Sequence, residues 1–322
     1  MALGSEDVAV GTWTAPGAVS GCTVVLPPPG TVGAIAVRGS APGTREAAAL
    51  GVMGRVEVCH GVVLAGGSAF GLAAADGVVA WLEERGRGFP VPGAVVPIVG
   101  AAIVLDAAVR DPGSRPGPAA GLAACESAVV AAPQEGRIGV GAGCTVAKVA
   151  GLTHARASGQ GIAVRRAGGV TVGALVANNA LGEVVGDDGT WIARADVPDG
   201  TPRFPEVDPF AGVGGSGSGG GSGSGGTASG GGAHGGPTSN TVIGCIVTDA
   251  RLSKRDAVRV ADLGHSGTAR AVRPAHTQAD GDALFCLATG RVEASVDLVA
   301  HLAAEAVAEA CRRGPLVAAR SD

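Results

Sequence analysis

The chain has 322 residues, of which 46% are apolar, and its 24 basic and 28 acidic residues give a formal net charge of −4. This length and composition are typical of a globular protein with a large core, in one domain or two. The near balance of charge, and the lack of a basic stretch interleaved with aromatic residues, exclude a nucleic-acid-binding protein.

The sequence pattern carries no membrane or export signal. No apolar run is long enough to span a bilayer, and Glu6 and Asp7 stand in the first ten residues, where a secretion signal would carry basic residues. We therefore expect a cytoplasmic protein with no membrane partner.

The core is expected to consist of small apolar side chains. Aromatic residues make up only 2% of the chain, and there is no tyrosine, so Ala, Val, Leu and Ile must pack closely. The cysteines are scattered, odd in number and without a C-x-x-C pair, so we expect small buried thiols instead of disulfides or metal ligands. They are Cys22, Cys59, Cys125, Cys144, Cys245, Cys286 and Cys311.

Short strands and one helix are predicted in the first 180 residues. β-Branched runs bounded by Gly, Pro or Asp predict strands over residues 22–26, 33–37, 56–64, 97–107, 162–165 and 170–177. An Ala- and Leu-rich stretch predicts a helix over residues 69–84, with Ser68 as its N-cap and Gly86 closing it.

The second half of the chain begins with a break in composition. The Gly/Ser-rich residues 212–236 offer almost no apolar area, so we predict a flexible linker there. Strands are then predicted over residues 241–247 and 283–288, and helices over residues 253–269, capped by Ser253, and 295–313, ending at Gly314-Pro315. Because these strands are nearly all apolar, layers must cover both faces of each sheet, which predicts a layered α/β sandwich.

Three glycine-rich segments are similar to known catalytic or ligand-binding motifs but lack a residue or a context that the motif requires. Phe70 stands where the G-x-S-x-G turn of a hydrolase nucleophile would require glycine, two residues after Ser68. Residues 143–148 lack the ending of a phosphate-binding loop, and residues 139–143 lack the context of a dinucleotide site. We therefore predict no cofactor.

His276, Asp280 and Asp282 lie within seven residues and carry groups that suit zinc or manganese. Without a second histidine at helical separation, the pattern also fits a solvated turn, or carboxylates that orient a catalytic group, and we predict no metal. His265, at the end of its predicted helix, is interpreted as a partner of the helix dipole.

The junction Asn240-Thr241 has two interpretations. The first is a turn residue followed by the first residue of a strand. The second is a self-cleavage site, since cleavage would give Thr241 a free α-amino group beside its hydroxyl, and so a base and a nucleophile on one residue. The linker upstream would let the old chain move away.

Several segments together resemble one known family. They are residues 37–46 (VRGSAPGTRE), residues 64–72 (LAGGSAFGL) with Asp76-Gly77, residues 139–148 (GVGAGCTVAK), Asn240-Thr241, and residues 273–290 (RPAHTQADGDALFCLATG). In this order they resemble the DmpA family of L-aminopeptidases/D-esterases, which also includes β-aminopeptidases and a nylon-oligomer hydrolase. The resemblance spans almost the full chain.

The resemblance implies a precursor that cuts itself between Asn240 and Thr241. An α-fragment of residues 1–240 and a β-fragment of residues 241–322 would stay associated. The implied fold is a four-layer αββα sandwich that forms homo-oligomers, and the implied substrate is a peptide or small amide with a free amino end.

The resemblance also implies a set of site residues. The catalytic set is Thr241, Asn179, Lys148, Asp280 and Asp282, and Gly66, Gly67 and Ser68 are expected to bind substrate. Thr241 corresponds to the nucleophile, and Asn179 resembles an oxyanion-binding side chain. The two aspartates match the pair that orients the nucleophile, as in the threonine-dependent nylon-hydrolase branch.

The chain departs from the family at a site tyrosine that aligns with about Leu105. This departure leaves a non-catalytic scaffold open as an alternative. A second alternative is an acyltransferase of the ornithine-acetyltransferase kind, which has a related fold and also cleaves itself. For the enzyme, ordinary pKa values favour the freed α-amine as the base, because it is roughly 10 to 15% neutral at pH 7, against below about 0.1% for a lysine. This ranking holds unless burial strongly lowers the pKa of Lys148.

Overall fold

A computed structural model describes residues 3–206 and 240–320, so the predicted linker over residues 212–236 lies outside the described residues. The strands are β1 (Ala9–Thr14), β2 (Gly21–Leu26), β3 (Val32–Val37), β4 (Thr44–Arg45), β5 (Gly61–Ala65), β6 (Phe89–Val91), β7 (Ala94–Val96), β8 (Val99–Ile103), β9 (Thr145–Val146), β10 (Arg156–Ala157), β11 (Gln160–Ala167), β12 (Val170–Asn179), β13 (Glu183–Val185), β14 (Trp191–Ala193), β15 (Thr241–Ala250), β16 (Val272–Arg273) and β17 (Ala283–Val292). The α-helices are α1 (Ala47–Leu50), α2 (Ala74–Glu84), α3 (Pro118–Glu126), α4 (Lys254–Ala271) and α5 (Val296–Ala318).

Two five-stranded sheets form the centre of the molecule. Sheet A has the strand order β1-β2-β5-β8-β4, and sheet B has the order β11-β12-β15-β17-β3. Each sheet contains one parallel pair, β5 with β8 and β15 with β17, and its other pairs are antiparallel. Two strands from the last part of the chain, β15 and β17, thus lie between the earlier strands β12 and β3.

Three buried clusters separate four layers. The outer two join helices to sheets, with Leu82 of α2 in the cluster on sheet A and Val307 of α5 in the cluster on sheet B. The third cluster lies between the sheets and includes Leu64 of sheet A and Phe285 of sheet B. Strands that are apolar on both faces therefore have a packed layer on each side, and the predicted four-layer αββα sandwich is confirmed.

The small side chains of the sequence allow close packing of the outer helices. Gly267 on α4 faces α5 so closely that an added Cβ would lie 2.2 Å from the carbonyl oxygen of Ala304. Only a residue without a side chain permits that approach. All seven cysteines are buried free thiols, which confirms their predicted role as small apolar residues.

Two predicted strands are longer than those observed. The strand predicted over residues 56–64 begins only at Gly61, and the one predicted over residues 97–107 is limited to Val99–Ile103. Segments next to a strand can be apolar because they pack against the core, without any ladder hydrogen bonds, so composition overextends the strand. The helix predicted over residues 69–84 begins as a 3-10 turn over Ser68–Ala73, and Ser68 makes no capping bond.

The last predicted helix ends too early. Helix α5 continues through Pro315 to Ala318. A proline cannot donate to the carbonyl four residues earlier, which here belongs to Cys311. The side chain of Asn178 supplies that bond instead, with Nδ2 donating to the Cys311 oxygen at 2.8 Å. A contact from sheet B thus lets the helix pass the proline.

Across residues 3–206 and 240–320, no helix combines the length and the apolar character that a membrane crossing requires.

Candidate active site

The register of sheet B brings two predicted site residues together. Strand β12 ends at Asn179, strand β15 begins at Thr241, and the antiparallel ladder pairs these residues directly. Both are buried, and Thr241 is only 3% exposed. The site therefore lies at one end of two neighbouring inner strands of sheet B.

The Thr241 hydroxyl lies against the peptide bond that precedes it. Its Oγ1 contacts the carbonyl oxygen of Asn240. Asn240 in turn forms a parallel bridge with Asp280. The neighbouring Gly281 leaves room for the hydroxyl, since a Cβ added there would lie 3.2 Å from Thr241 Oγ1.

Lys148 reaches the site from a segment bound to the end of β12. The Lys148 backbone N–H donates to the carbonyl of Leu181, and its Nζ donates to the backbone oxygen and to Oδ1 of Asn179, each at 2.9 Å. The side chain is only 2% exposed. Burial lowers the pKa of Lys148 to about 7, although the negative charges of Asp280 and Asp106 favour its protonated form.

The orientation of the Asn179 amide follows from its partners. The Thr145 backbone N–H donates to Oδ1 at 3.0 Å, and Nδ2 donates to the carbonyl oxygen of Leu105 at 3.0 Å. An amide N–H cannot accept and a carbonyl cannot donate, so this assignment of O and N is fixed. Leu105 therefore touches the site through its backbone.

The two aspartates occupy different environments. Asp282 accepts the backbone N–H of Val242 through Oδ1 at 2.6 Å and faces the His276 ring through Oδ2 at 2.6 Å. Asp280 accepts the backbone N–H and the hydroxyl of Thr277 through Oδ2, and its buried Oδ1 has no hydrogen-bond partner among the described residues. Burial, with the nearby charge of Asp282, raises the pKa of Asp280 to about 6.

The segment after β3 forms backbone hydrogen bonds to the loop that carries Asp280 and Asp282. The N–H groups of Arg38 and Gly39 donate to the carbonyl of Asp282, and the N–H of Ala41 donates to the carbonyl of Asp280. A side chain at residue 39 would collide with this loop, because its Cβ would lie 2.2 Å from the Asp282 nitrogen. Two sequence segments more than 200 residues apart thus form one site.

Gly66, Gly67 and Ser68 lie at the end of β5, where their contacts run to the loop after β8. The Gly67 N–H donates to Asp106 Oδ1 at 3.0 Å, and the Ser68 N–H donates to the Val104 carbonyl. A Cβ on Gly66 would lie 2.0 Å from Asp106 Oδ2. These residues border the site through Asp106, and their expected contact with substrate stays a prediction.

The interpretation of His265 as a partner of the helix dipole is wrong. Helix α4 ends at Ala271, so His265 lies inside the helix, and it is buried. Burial lowers its pKa to about 4, which leaves it uncharged at neutral pH. Over the two described ranges, no three His, Cys, Asp or Glu side chains converge in a way that could hold a metal ion.

The contact of the His276 ring with Asp282 was not predicted from the sequence. The signal was the short spacing from His276 to Asp282, which was weighed for metal binding and not for a direct pair. Asp106 was missed as well, because nothing in the sequence near residue 106 indicates proximity to Lys148.

Comparisons with known proteins place the chain among peptidases. Residues 5–321 match the model of peptidase family S58. An uncharacterized aminopeptidase of Mycobacterium leprae (strain TN) is 42% identical over 283 residues, which cover 85% of this chain and 72% of that protein. A 6-aminohexanoate-oligomer endohydrolase of Paenarthrobacter ureafaciens is 31% identical over 278 residues, 85% of this chain and 70% of that protein.

The fold is also found among solved structures. An L-aminopeptidase D-Ala-esterase/amidase from Ochrobactrum anthropi, described as a variant of the Ntn hydrolase fold, superposes with a TM-score of 0.69. The match covers 98% of this chain and 86% of that one, at 19% sequence identity. At this identity the likeness concerns the fold alone.

Proposed function

The chain belongs to peptidase family S58 and is a hydrolase of the aminopeptidase and amidase type, and from that premise we propose that it processes itself at Asn240-Thr241 and uses Thr241 as its N-terminal nucleophile. One observation carries this proposal. The Thr241 hydroxyl lies against the Asn240 carbonyl, in a buried site that also contains Lys148, Asn179 and the Asp280 loop. A hydroxyl, a base and an amide bond in one dry site are what an intramolecular acyl shift requires.

In the precursor, Thr241 has no free amine, so another group must take its proton. With a pKa of about 7, roughly half of Lys148 is neutral at pH 7. A neutral amine has two hydrogens, which match the two Asn179 oxygens, and a lone pair that can accept the hydroxyl proton. The condition under which a lysine competes with an α-amine is therefore met.

The self-cleavage follows in two steps. Oγ1 of Thr241 gives its proton to Lys148 and attacks the Asn240 carbonyl carbon, and the Thr241 nitrogen leaves with that proton. The product is an ester between the Asn240 acyl group and Oγ1, beside a free α-amine. Water then hydrolyses the ester, which leaves a carboxylate on Asn240 and restores the Thr241 hydroxyl.

The mature enzyme would repeat this chemistry on a substrate. Oγ1 attacks the substrate carbonyl, the substrate's amine leaves with a proton, and water releases the acyl group. The α-amine of Thr241 and Lys148 are both available as bases, and Asn179 is the proposed side chain near the developing oxyanion. The aspartates would hold the new terminus in place.

Sheet B supports the continued association of the two fragments. Residues 241–322 contribute β15 and β17, and both are paired with strands of the preceding part, β12 and β3. These two ladders and both buried faces of sheet B would have to be broken to separate the fragments. We place this associated enzyme in the cytoplasm, where its seven buried thiols stay reduced.

The proposed substrates are peptides and small amides with a free amino end. Oligomers of 6-aminohexanoate belong to this class, and a relative's name identifies them as its substrate. An electrophilic amide analogue tests the role of Thr241 directly. Peptide mapping after labelling should place the adduct on Thr241 at the start of the β-fragment, and activity should fall in proportion to the labelling. Labelling elsewhere, or full activity with Thr241 labelled, would contradict the proposal.

A further inference from the structure

His276 lies in the site but has no part in the chemistry above. Its ring Nδ1 is 2.6 Å from Asp282 Oδ2, and its Nε2 is 3.3 Å from the carbonyl oxygen of His265 on α4. Its backbone N–H also points at Asp282 Oδ2, at 3.3 Å. The ring therefore bridges α4 and the carboxylate that holds the Val242 N–H.

The partners of the ring indicate its charge. The His265 carbonyl can only accept, so Nε2 carries a hydrogen. Nδ1 faces a carboxylate oxygen, which binds a second ring hydrogen best when the ring is an imidazolium. Burial lowers the pKa of His276, but the hydrogen bond and the charge of Asp282 outweigh it, so that the pKa lies above its ordinary value of 6.5.

Among the described residues, few charged or titratable side chains lie near His276. Its own loop supplies Asp282 and Asp280, and α4 supplies the side chain of His265, whose ring centre is 4.9 Å away. The end of β3 supplies Arg38, whose charge acts on His265. His265 is uncharged at neutral pH, so Asp282 is the group that matches an imidazolium.

The backbone at His276 is also held in an unusual conformation. Its φ of 56° lies in the left-handed region, which is strained for a residue with a side chain. Such strain persists only where the surrounding structure holds it. The ring contacts on both sides of His276 supply that constraint.

We propose, on the basis of the function above, that His276 is a positioning residue: as an imidazolium between the His265 carbonyl and Asp282, it holds the Asp282 carboxyl oriented on the Val242 N–H. Asp280 is then the carboxyl of the pair that can serve as the base in place of Lys148, taking the Thr241 hydroxyl proton and giving it to the departing Thr241 nitrogen. Its Oδ1, which makes no hydrogen bond in the described part of the chain, is the atom that exchanges this proton.

The first test is the pH dependence of processing in His276→Gln. Glutamine can donate a hydrogen bond to Asp282 but brings no charge. Loss of the cation favours protonation of both Asp280 and Lys148, so whichever acts as the base, the acid limb of the rate should move up by about one pH unit. The rate should fall about tenfold at pH 6 and recover at pH 9. An equal loss at both pH values, or no change, would overturn the proposal.

A matched control and a second measurement complete the design. His301→Gln removes an exposed histidine on α5 and should leave the profile unchanged. In a Thr241→Ala chain with ¹⁵N-labelled histidine, the NMR signals of the His276 ring should show both nitrogens protonated at pH 6.5, and Asp282→Asn should abolish this. A neutral ring at pH 6.5 would refute the proposal even if His276→Gln fails to fold. This measurement does not depend on cleavage, so failure of the proposed function appears separately, as an uncut wild-type chain.

Discussion

Substitution of Lys148 tests both its role as the base in processing and the lowered pKa of its amine. Replacement by methionine keeps the length and apolar character of the side chain but removes the amine that contacts both oxygens of Asn179. General base catalysis contributes about 10² to 10⁴ in rate, so processing should slow by at least about 100-fold. Thr241→Ala should abolish it.

The same substitution has a calculable effect on stability. The pKa of Lys148 falls from its ordinary value of 10.5 to about 7 because of burial. Between pH 6 and pH 9 the folded chain loses this proton while the unfolded chain keeps it, and stability rises with pH wherever the unfolded state binds more protons. The integral over this range is about two pKa units, or about 2.7 kcal/mol.

The assay is urea unfolding of two uncleavable chains, Thr241→Ala with and without Lys148→Met, at pH 6 and pH 9. The free energy of unfolding of the chain that retains the lysine should gain about 2.7 kcal/mol relative to the methionine variant as the pH rises. In a separate chain that retains Thr241, Lys254→Met removes the other buried lysine, which binds carbonyls outside the site, and should leave the pH dependence of processing intact. A difference that stays constant with pH would refute a strongly lowered pKa for Lys148.

Three further substitutions probe the site. Gly281→Ala should slow processing about 100-fold, because its Cβ would lie 2.6 Å from a backbone oxygen and 3.2 Å from Thr241 Oγ1. Gly117→Ala is the control, since a Cβ there would have nothing within 4 Å. Equal processing rates for the two variants would contradict the tight fit around Gly281. Asp280→Asn should keep the fold and slow processing by about 10² or more, since an amide side chain cannot act as a base near neutral pH. A wild-type rate of processing would exclude proton transfer by Asp280. Asn179→Ala should lower the turnover of processed enzyme by about 10² to 10³, and an effect on KM alone would remove it from the oxyanion site.

Much of the fold was accessible from the sequence because the strands are short, apolar and sharply bounded. Apolar residues on both faces of residues 241–247 and 283–288 required covering layers, and the structure has them. The errors lie where tertiary contacts override local rules. Helix α5 passes Pro315 because Asn178 satisfies the freed carbonyl, and that contact comes from a strand more than 130 residues earlier.

The candidate site was accessible in part. The resemblance placed Thr241, Lys148, Asn179, Asp280 and Asp282 in one site, and the structure brings these residues together. The catalytic roles of the five residues stay predictions.

The electrostatics of the site could not be predicted from the sequence. The pKa of Lys148 depends on its burial, and the contact of Asp282 with the His276 ring depends on how their loop folds against α4. Both are consequences of packing.

In the proposed function, the Thr241 hydroxyl cuts the bond between Asn240 and Thr241. Intact-mass analysis of freshly purified protein over time tests it most directly. The wild-type protein should convert into two chains, residues 1–240 and 241–322, with a β-fragment that begins Thr-Val-Ile-Gly. Conversion should be slower for Thr241→Ser and absent for Thr241→Ala. An active wild-type protein that stays a single chain, or a Thr241→Ala chain that is cut at the same bond, would contradict it.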